Sequence, residues 1–395
     1  MFSARDDCSE PFSFSSLQRR LSHFFAVFIL CLGDDFLQTL SLCMIVKNEE
    51  KVLARCLESV KSIVDEMIIV DTGSTDGTKK VATRFTDKIY DFVWCNDFSA
   101  ARNFAFSKAG CDYIMWLDAD DVMHKEDAEK LRSLMLESDG SADVIMLPYN
   151  TAFDENGNPV LSFYRERIVR RSCGFIWKGR VHEAIEYCGK ILYADAAVTH
   201  RSVKKEYSTR NLDIYLEQER LGEPFTPRDE FYFGRELYYH GRYERAAEVL
   251  NNFLEDNKGW IENNIEACKI LSYCYVQLGN TKGAFDSLCC SFIYDSPRAE
   301  ICCEIGNVLM LEKRFAQACF WFETALSMEP DSKSGAFVNT DCYGYIPAIQ
   351  LAVCFDRTGN IEAAQRYNEI AGSLKPASAA YLHNKAYFAT LRGNG

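Results

Sequence analysis

The sequence predicts two folded units in series, an α/β domain with a mostly parallel sheet flanked by helices and then an all-α helical array. Three observations carry that reading. Continuous apolar runs at 40–46, 65–70 and 113–117 read as short strands buried on both faces, the mark of a parallel sheet. Helical stretches at 50–62 and 78–85 lie between them, the second entered through the turn 73–77, which gives the strand–helix alternation of an α/β fold. After Asp229 the texture changes: aromatic and aliphatic residues recur at helical spacing and strand-like runs disappear.

The composition supports folded domains throughout. The chain has 395 residues, 48% hydrophobic and 26% charged, enough for two domains with cores of their own. A formal net charge of −13, with no concentrated Lys/Arg face, excludes a general nucleic-acid surface. Seventeen cysteines occur mostly singly in apolar stretches, as at Cys268, Cys274 and Cys319, which suits buried thiols in a reducing cytosol. No CxxC pair or nearby histidine completes a structural zinc set around Cys289-Cys290 or Cys302-Cys303. The apolar run 24–32 is too short to span a bilayer, and the Gly33-Asp34-Asp35 that follows offers no small-x-small cleavage site. Residues 1–38 are therefore expected to be an extension outside the core, 39–225 the α/β domain and 226–395 the helical array.

Within that array a repeat emerges. Gly241-Arg242-Tyr243 with Ala246 matches Gly279-Asn280-Thr281 with Ala284, Lys313-Arg314-Phe315 with Ala318, and Gly359-Asn360-Ile361 with Ala364. The starts lie 38, 34 and 46 residues apart, close to a helix–turn–helix period except for the last, where a loop insertion is expected at 331–343. Pro330 and Pro376 fall where a second helix should end. This pattern resembles the tetratricopeptide family, in which tyrosine, phenylalanine and alanine pack helix on helix and the solenoid as a whole presents a concave surface.

Ligands of open α/β sheets bind beyond the carboxyl ends of the strands, and three motifs stand there. The first strand ends in Val46-Lys47-Asn48-Glu49-Glu50, by itself a helix start with acidic first-turn residues. The second ends in Asp71-Thr72-Gly73-Ser74-Thr75-Asp76-Gly77. There Asp71 can accept hydrogen bonds from a base or ribose, the glycines let the backbone turn beside a ligand, and Ser74 or Asp76 can equally cap the next helix. The third ends in Trp116-Leu117-Asp118-Ala119-Asp120-Asp121, where Asp118 and Asp120, one residue apart, can converge on a hard divalent cation that holds a diphosphate.

IVKNEE, VDTGSTDGT, ARNFA and WLDADD, in this order and spacing, resemble glycosyltransferase family 2 over about residues 40–200. The resemblance implies a GT-A fold, a nucleoside-diphosphate sugar donor, UDP-linked in the expected case, a Mn²⁺ or Mg²⁺ ion, and inversion at the anomeric carbon by direct displacement. It implies that Val46, Asn48 and Glu49 border the nucleotide, with Gly73, Ser74 and Asp76 in the turn beside it and Asp71 on the base. It makes Asp118 and Asp120 the metal-binding pair, Asp118 also touching the donor, and sets Arg102 near the diphosphate to neutralise the leaving group. The family's usual base motif has no counterpart here; Trp177-Lys178-Gly179-Arg180-Val181-His182-Glu183 stands instead. Together with the VDTGSTDGT turn and attached repeats, that segment is similar to peptide S-glycosyltransferases that modify bacteriocin cysteines. The similarity implies that Glu183 deprotonates the acceptor while His182 orients it or binds phosphate; an ion pair between Arg180 and Glu183 is the structural alternative. His200, after a further strand-like run at 197–201, matches the late histidine that GT-A enzymes use as a third metal ligand, although a lone histidine can also be structural.

The acceptor is not written in these motifs. The repeats make a peptide or protein acceptor the expectation, since a solenoid suits an extended chain. Transfer to a glycan or polysaccharide, a homodimer built on the repeats, and a non-catalytic scaffold are the alternatives.

Overall fold

The first strand shows why the α/β half folds as it does. β1 (Leu40–Val46) lies between β2 (Glu66–Asp71) and β4 (Tyr113–Trp116), parallel to both, and β3 (Ile89–Asp91) extends the parallel set beyond β2. Alternate side chains enter two separate cores. Leu40, Leu42, Met44 and Val46 join Met67, Ile69, Tyr113 and Met115 on one face; Cys43 joins Ile68, Val70, Ile114 and Trp116 on the other. A strand buried on both faces has no polar face to alternate with, hence the unbroken apolar run, each buried aliphatic contributing roughly 1.5–3 kcal/mol.

The computed structural model describes residues 38–154, 157–202, 208–330 and 338–393. The expected N-terminal extension, bar Gln38, and the first part of the expected insertion at 331–343 lie outside them. α1 (Leu53–Val60) and α2 (Thr78–Ala82) follow β1 and β2, and α3 (Phe98–Phe106) precedes β4. Beyond β4 the sheet departs from the expected parallel pattern and becomes mixed. β5 (Asp121–Met123), α4 (Lys125–Glu137), the long strands β6 (Val144–Phe153) and β7 (Pro159–Arg170), β8 (Trp177–Lys178), β9 (Ala184–Ile185), β10 (Ile191–Tyr193) and β11 (Val198–His200) follow. The strand order is β3-β2-β1-β4-β7-β6-β11-β5, with β7 antiparallel to both β4 and β6. β11 runs antiparallel to β5 and pairs His200 with Asp121, which brings the late histidine to the acidic turn.

α5 (Arg210–Arg220) leads into four helix pairs: α6 (Pro227–Tyr239) with α7 (Tyr243–Asp256), α8 (Ile261–Gln277) with α9 (Thr281–Cys290), α10 (Ala299–Leu311) with α11 (Phe315–Leu326), and α12 (Tyr345–Arg357) with α13 (Ile361–Leu374). α14 (Ala379–Gly393) closes the array. The repeat positions sit as their chemistry requires. Ala246, Ala284, Ala318 and Ala364 are fully buried where helices approach, and Gly241, Gly279, Lys313 and Gly359 all have φ between 60° and 82°. Each is the left-handed residue that ends the first helix of its pair. The insertion returns a short strand, β12 (Val338–Asn339), to pair with Leu161 and Ser162 of β7, so the array touches the sheet a second time.

The segment 221–227 is no loose linker. Phe225 packs edge-on against Tyr215 and Phe233, Glu223 pairs with Arg180, and α5 shares one core with Val181, α6 and α8. Among the described residues no helix is long and apolar enough to cross a membrane.

Lys313 is the one side chain among the four left-handed repeat positions, and it carries the strain that glycine avoids. Lys313→Gly is expected to raise the stability of the array by about 0.5–1 kcal/mol, read as a higher melting temperature; an unchanged or lower value would show that the lysine stem offsets its backbone.

Candidate active site

The carboxyl ends of β1, β2 and β4 open on a cleft of about 530 Å³. Of the residues singled out in the sequence, Val46, Glu49, Arg102, Asp118, Asp120, His182, Glu183 and His200 line it. The remainder build its edge. Asn48, held at φ 57°, accepts from the Thr75 amide at 2.8 Å, and its own amide donates to Ser74 Oγ at 2.9 Å. Asp76 accepts from the Thr78 and Glu50 amides, so it ties the two loops to each other and takes the capping role. Gly73, at φ 102° with open space where a Cβ would stand, lets the loop turn. Asp71 is 2% exposed; one carboxylate oxygen accepts from the Gly73 and Ser74 amides, while Oδ2 is buried with no hydrogen-bond partner among the described residues. A buried carboxylate oxygen without a donor is costly unless a ligand supplies one, and the N–H of a nucleobase has the chemistry to do so.

Arg102 is the centre of the cleft. α3, capped by Asp97, carries it between two tryptophan rings, its guanidinium 5.0 Å from the Trp116 ring and 4.8 Å from that of Trp177. Its Nη2 donates to Asp118 Oδ1 at 2.8 Å and its Nε to Glu183 Oε1 at 2.5 Å. Burial alone would raise the Asp118 carboxyl; the nearby charges of Arg102 and Arg167 outweigh it and hold the group at about 2.

Two expectations change here. The Asp118 carboxylate, expected to share the cation with Asp120, is held by Arg102. The groups that come together are Asp120, Asp121 and His200, with ligand atoms all within 4.8 Å of one another. Asp121 is fully buried and already occupied: it accepts from Tyr149 Oη at 2.9 Å and from the Asp118 amide at 3.1 Å, and pairs with Arg167 at 3.1 Å. It therefore orients His200, whose Nδ1 lies 3.4 Å away, and leaves Asp120 and His200 as the donors that face the cleft. One carboxylate and one imidazole beside a diphosphate-sized space fit Mn²⁺ or Mg²⁺.

The second change concerns Glu183 and His182. Glu183 pairs with Arg102, whereas Arg180 pairs with Glu223, so the expected Arg180–Glu183 pair does not form. His182, at φ 50°, has both ring nitrogens engaged by the first repeat helix: Nε2 with Glu236 Oε1 at 2.7 Å and Nδ1 with Arg235 at 3.4 Å. Its ring stacks on Tyr232 at 4.2 Å, and Arg228 Nε donates to its carbonyl at 2.8 Å. This histidine anchors a helix while it lines the cleft. Asn103 exchanges two hydrogen bonds with the backbone of Trp177, and the Phe98 amide donates to the Arg180 carbonyl, so α3 holds the same segment from the other side. Arg167, Tyr149 and Glu236 carry no motif. The one trace of the first is the Arg165-Glu166-Arg167 run inside an otherwise apolar strand.

The hydrogen bond with Asp121 and the charges of Asp120 and Asp121 raise the pKa of His200 above the usual imidazole value, burial opposing them. A cation taking this nitrogen must displace a proton, so Mn²⁺ affinity is expected to fall as pH drops through that raised pKa, and His200→Ala to flatten the dependence. A pH-independent Mn²⁺ titration of the unaltered chain would remove His200 from the metal site.

The model of glycosyl transferase family 2 matches residues 41–190 and a tetratricopeptide repeat model matches 299–332. A TPR repeat-containing protein of Synechococcus elongatus is 45% identical over 332 residues, 82% of this chain and 75% of that one. The SPbeta prophage-derived glycosyltransferase SunS of Bacillus subtilis is 31% identical over 253 residues, 59% of this chain and 58% of SunS. The lipopolysaccharide core biosynthesis glycosyltransferase LpsC of Rhizobium meliloti is 28% identical over 252 residues, 58% of this chain and 91% of LpsC. A family 2 domain over the sheet, repeats over the helices and a close relative sharing most of its length with the chain lead to one conclusion: this protein belongs to the family 2 glycosyltransferases that carry C-terminal tetratricopeptide repeats.

Proposed function

We propose that the protein transfers a sugar from a nucleoside-diphosphate sugar to a side chain of a peptide or protein, with inversion and with the help of a divalent cation. The observation that carries this reading is the single cleft that gathers Arg102, Asp118, Asp120, Glu183 and His200 at the carboxyl ends of the parallel strands. The donor's base lies towards β2, where Asp71 Oδ2 awaits a donor, and Asp118 touches the donor's sugar–phosphate portion. Asp120 and His200 hold the cation, which neutralises the charge of the departing diphosphate. Glu183, at the far wall, takes the proton of the attacking nucleophile; its bond to Arg102 fixes the direction of its carboxylate. Arg102 is already matched by two acids, so its part is to set Asp118 and Glu183 on opposite sides of the reacting carbon. In this reading the donor is UDP-linked, and the fifteen described cysteines, all unpaired, suit a reducing cytoplasm. A glycan acceptor is the competing reading, favoured by the similarity to LpsC. The intact acidic cluster speaks against a bare scaffold.

Release of nucleotide from a panel of nucleotide sugars tests the donor half without knowledge of the acceptor. Metal-dependent release should disappear in Asp120→Ala; release that survives both this substitution and a chelator would refute the cation's role. Glu183→Gln should retain donor affinity while transfer falls by about 10²–10⁴-fold. Against a thiol acceptor the loss should shrink as pH rises, since thiolate forms unaided. Equal losses of donor binding and rate would make Glu183 a purely structural partner of Arg102.

A further inference from the structure

The donor cleft continues past Glu183. Arg165, His182 and Glu183 line it and also line a second cavity, of about 480 Å³, between β7, β9 and β10 on one side and α6 on the other. A third cavity, of about 420 Å³, lies between α8 and the start of α10. Two stretches of chain join the second to the third. Trp260 borders the middle cavity, and Glu262, two residues on, the distal one. On the opposite side Phe163 borders the middle cavity, while its neighbour Ser162 pairs with Val338, which lines the distal one. The three cavities thus follow one another along β7, with Ser162 and Arg165 about 10 Å apart at the rise of a strand.

The walls change sign along this path. In the middle cavity the carboxylates Glu166 and Glu183 pair with Arg165 and Arg102, and the charges that α6 adds are the cations Arg228 and Arg235. Its rim is aromatic: Tyr187, Tyr193 and Trp260 are 37%, 47% and 51% exposed. In the distal cavity five carboxylates meet two cations: Arg298 pairs with Glu262 and Asp295 and Lys269 with Glu266, so Glu300 and Glu329 add negative charge beyond those ion pairs.

We propose that the middle and distal cavities form the acceptor track, and that its occupant is an extended polypeptide with an acidic residue beside the modified side chain and a basic residue several positions away. The inference rests on the glycosyl-transfer reading above. Arginines and exposed aromatic rings would receive an acidic glycan equally well, but a glycan without free amino sugars brings no cation for the distal carboxylates. A polypeptide brings both charges, and at about 3.3 Å per residue three to five extended residues reach from one cavity to the next. The first repeat helix then serves as one wall of the acceptor site, and the array does more than display a remote surface.

The test uses the full chain and fluorescein-labelled dodecapeptides of identical composition with one central cysteine or serine. One set carries Asp beside that residue and Lys four positions away; the other exchanges the two charges; each is made in both chain directions. Fluorescence anisotropy should show the acid-proximal order binding about tenfold tighter in one direction, the gain of a partly screened ion pair at each end. Glu329→Lys, at the exposed margin of the distal cavity, should reduce that preference several-fold while metal-dependent nucleotide release stays unchanged. Equal binding of the two orders, or displacement of the peptide by a phosphorylated oligosaccharide at equal concentration, would overturn the track even with nucleotide release intact. Absence of nucleotide release in the unaltered chain would instead strike at the underlying glycosyl-transfer reading.

Discussion

One guanidinium organises the cleft. Arg102 reaches it from α3, lies between Trp116 and Trp177, and is bonded at once to Asp118 and Glu183. Both of its acids depend on it: its Nη2 holds Asp118 and its Nε holds Glu183. A charge buried to this degree tolerates no missing partner, since breaking such a pair costs about 3–5 kcal/mol, so the two acids and the arginine stand or fall together. The aromatic rings on either side add cation–π attraction.

The same constraint explains why the helical half cannot be treated as an appendage. Glu183 follows His182, whose left-handed backbone is held by the carbonyl bond from Arg228, the stack on Tyr232 and the buried carboxylate of Glu236, all on the first repeat helix. A non-glycine residue at φ 50° costs about 1 kcal/mol and persists only where its surroundings over-determine it. Helix α6 provides those surroundings, and the core it shares with Val181 and α5 makes the junction continuous. Position in the repeat array and geometry at the cleft are therefore one mechanical problem.

How much of this was legible in the sequence follows from where the information is local. β1 was readable to the residue because burial on both faces leaves an unbroken apolar run. The four left-handed turns and their alanines were readable because each repeat poses the same backbone problem to the chain. The long β6–β7 pair was not found, since polar residues such as Arg165, Glu166 and Arg167 interrupt its pattern and find their partners only in the folded sheet. The same holds for the division of labour among the acids. That Asp118 belongs to Arg102 and that Asp121 serves His200 depends on side-chain partners drawn from α3, β6, β7 and β11, far apart in the chain. Glu236 looked like any helical glutamate, yet no solvent reaches it.

The hold of the first repeat helix on the segment 177–183 can be measured without any substrate. Hydrogen–deuterium exchange of the full chain, compared with a Glu236→Ala variant, should show faster exchange at 177–183 and in α3 around Arg102, with α10 to α13 protected as before. Exchange at 177–183 that is the same in both proteins would show that this segment stands without the helix, and would contradict the account.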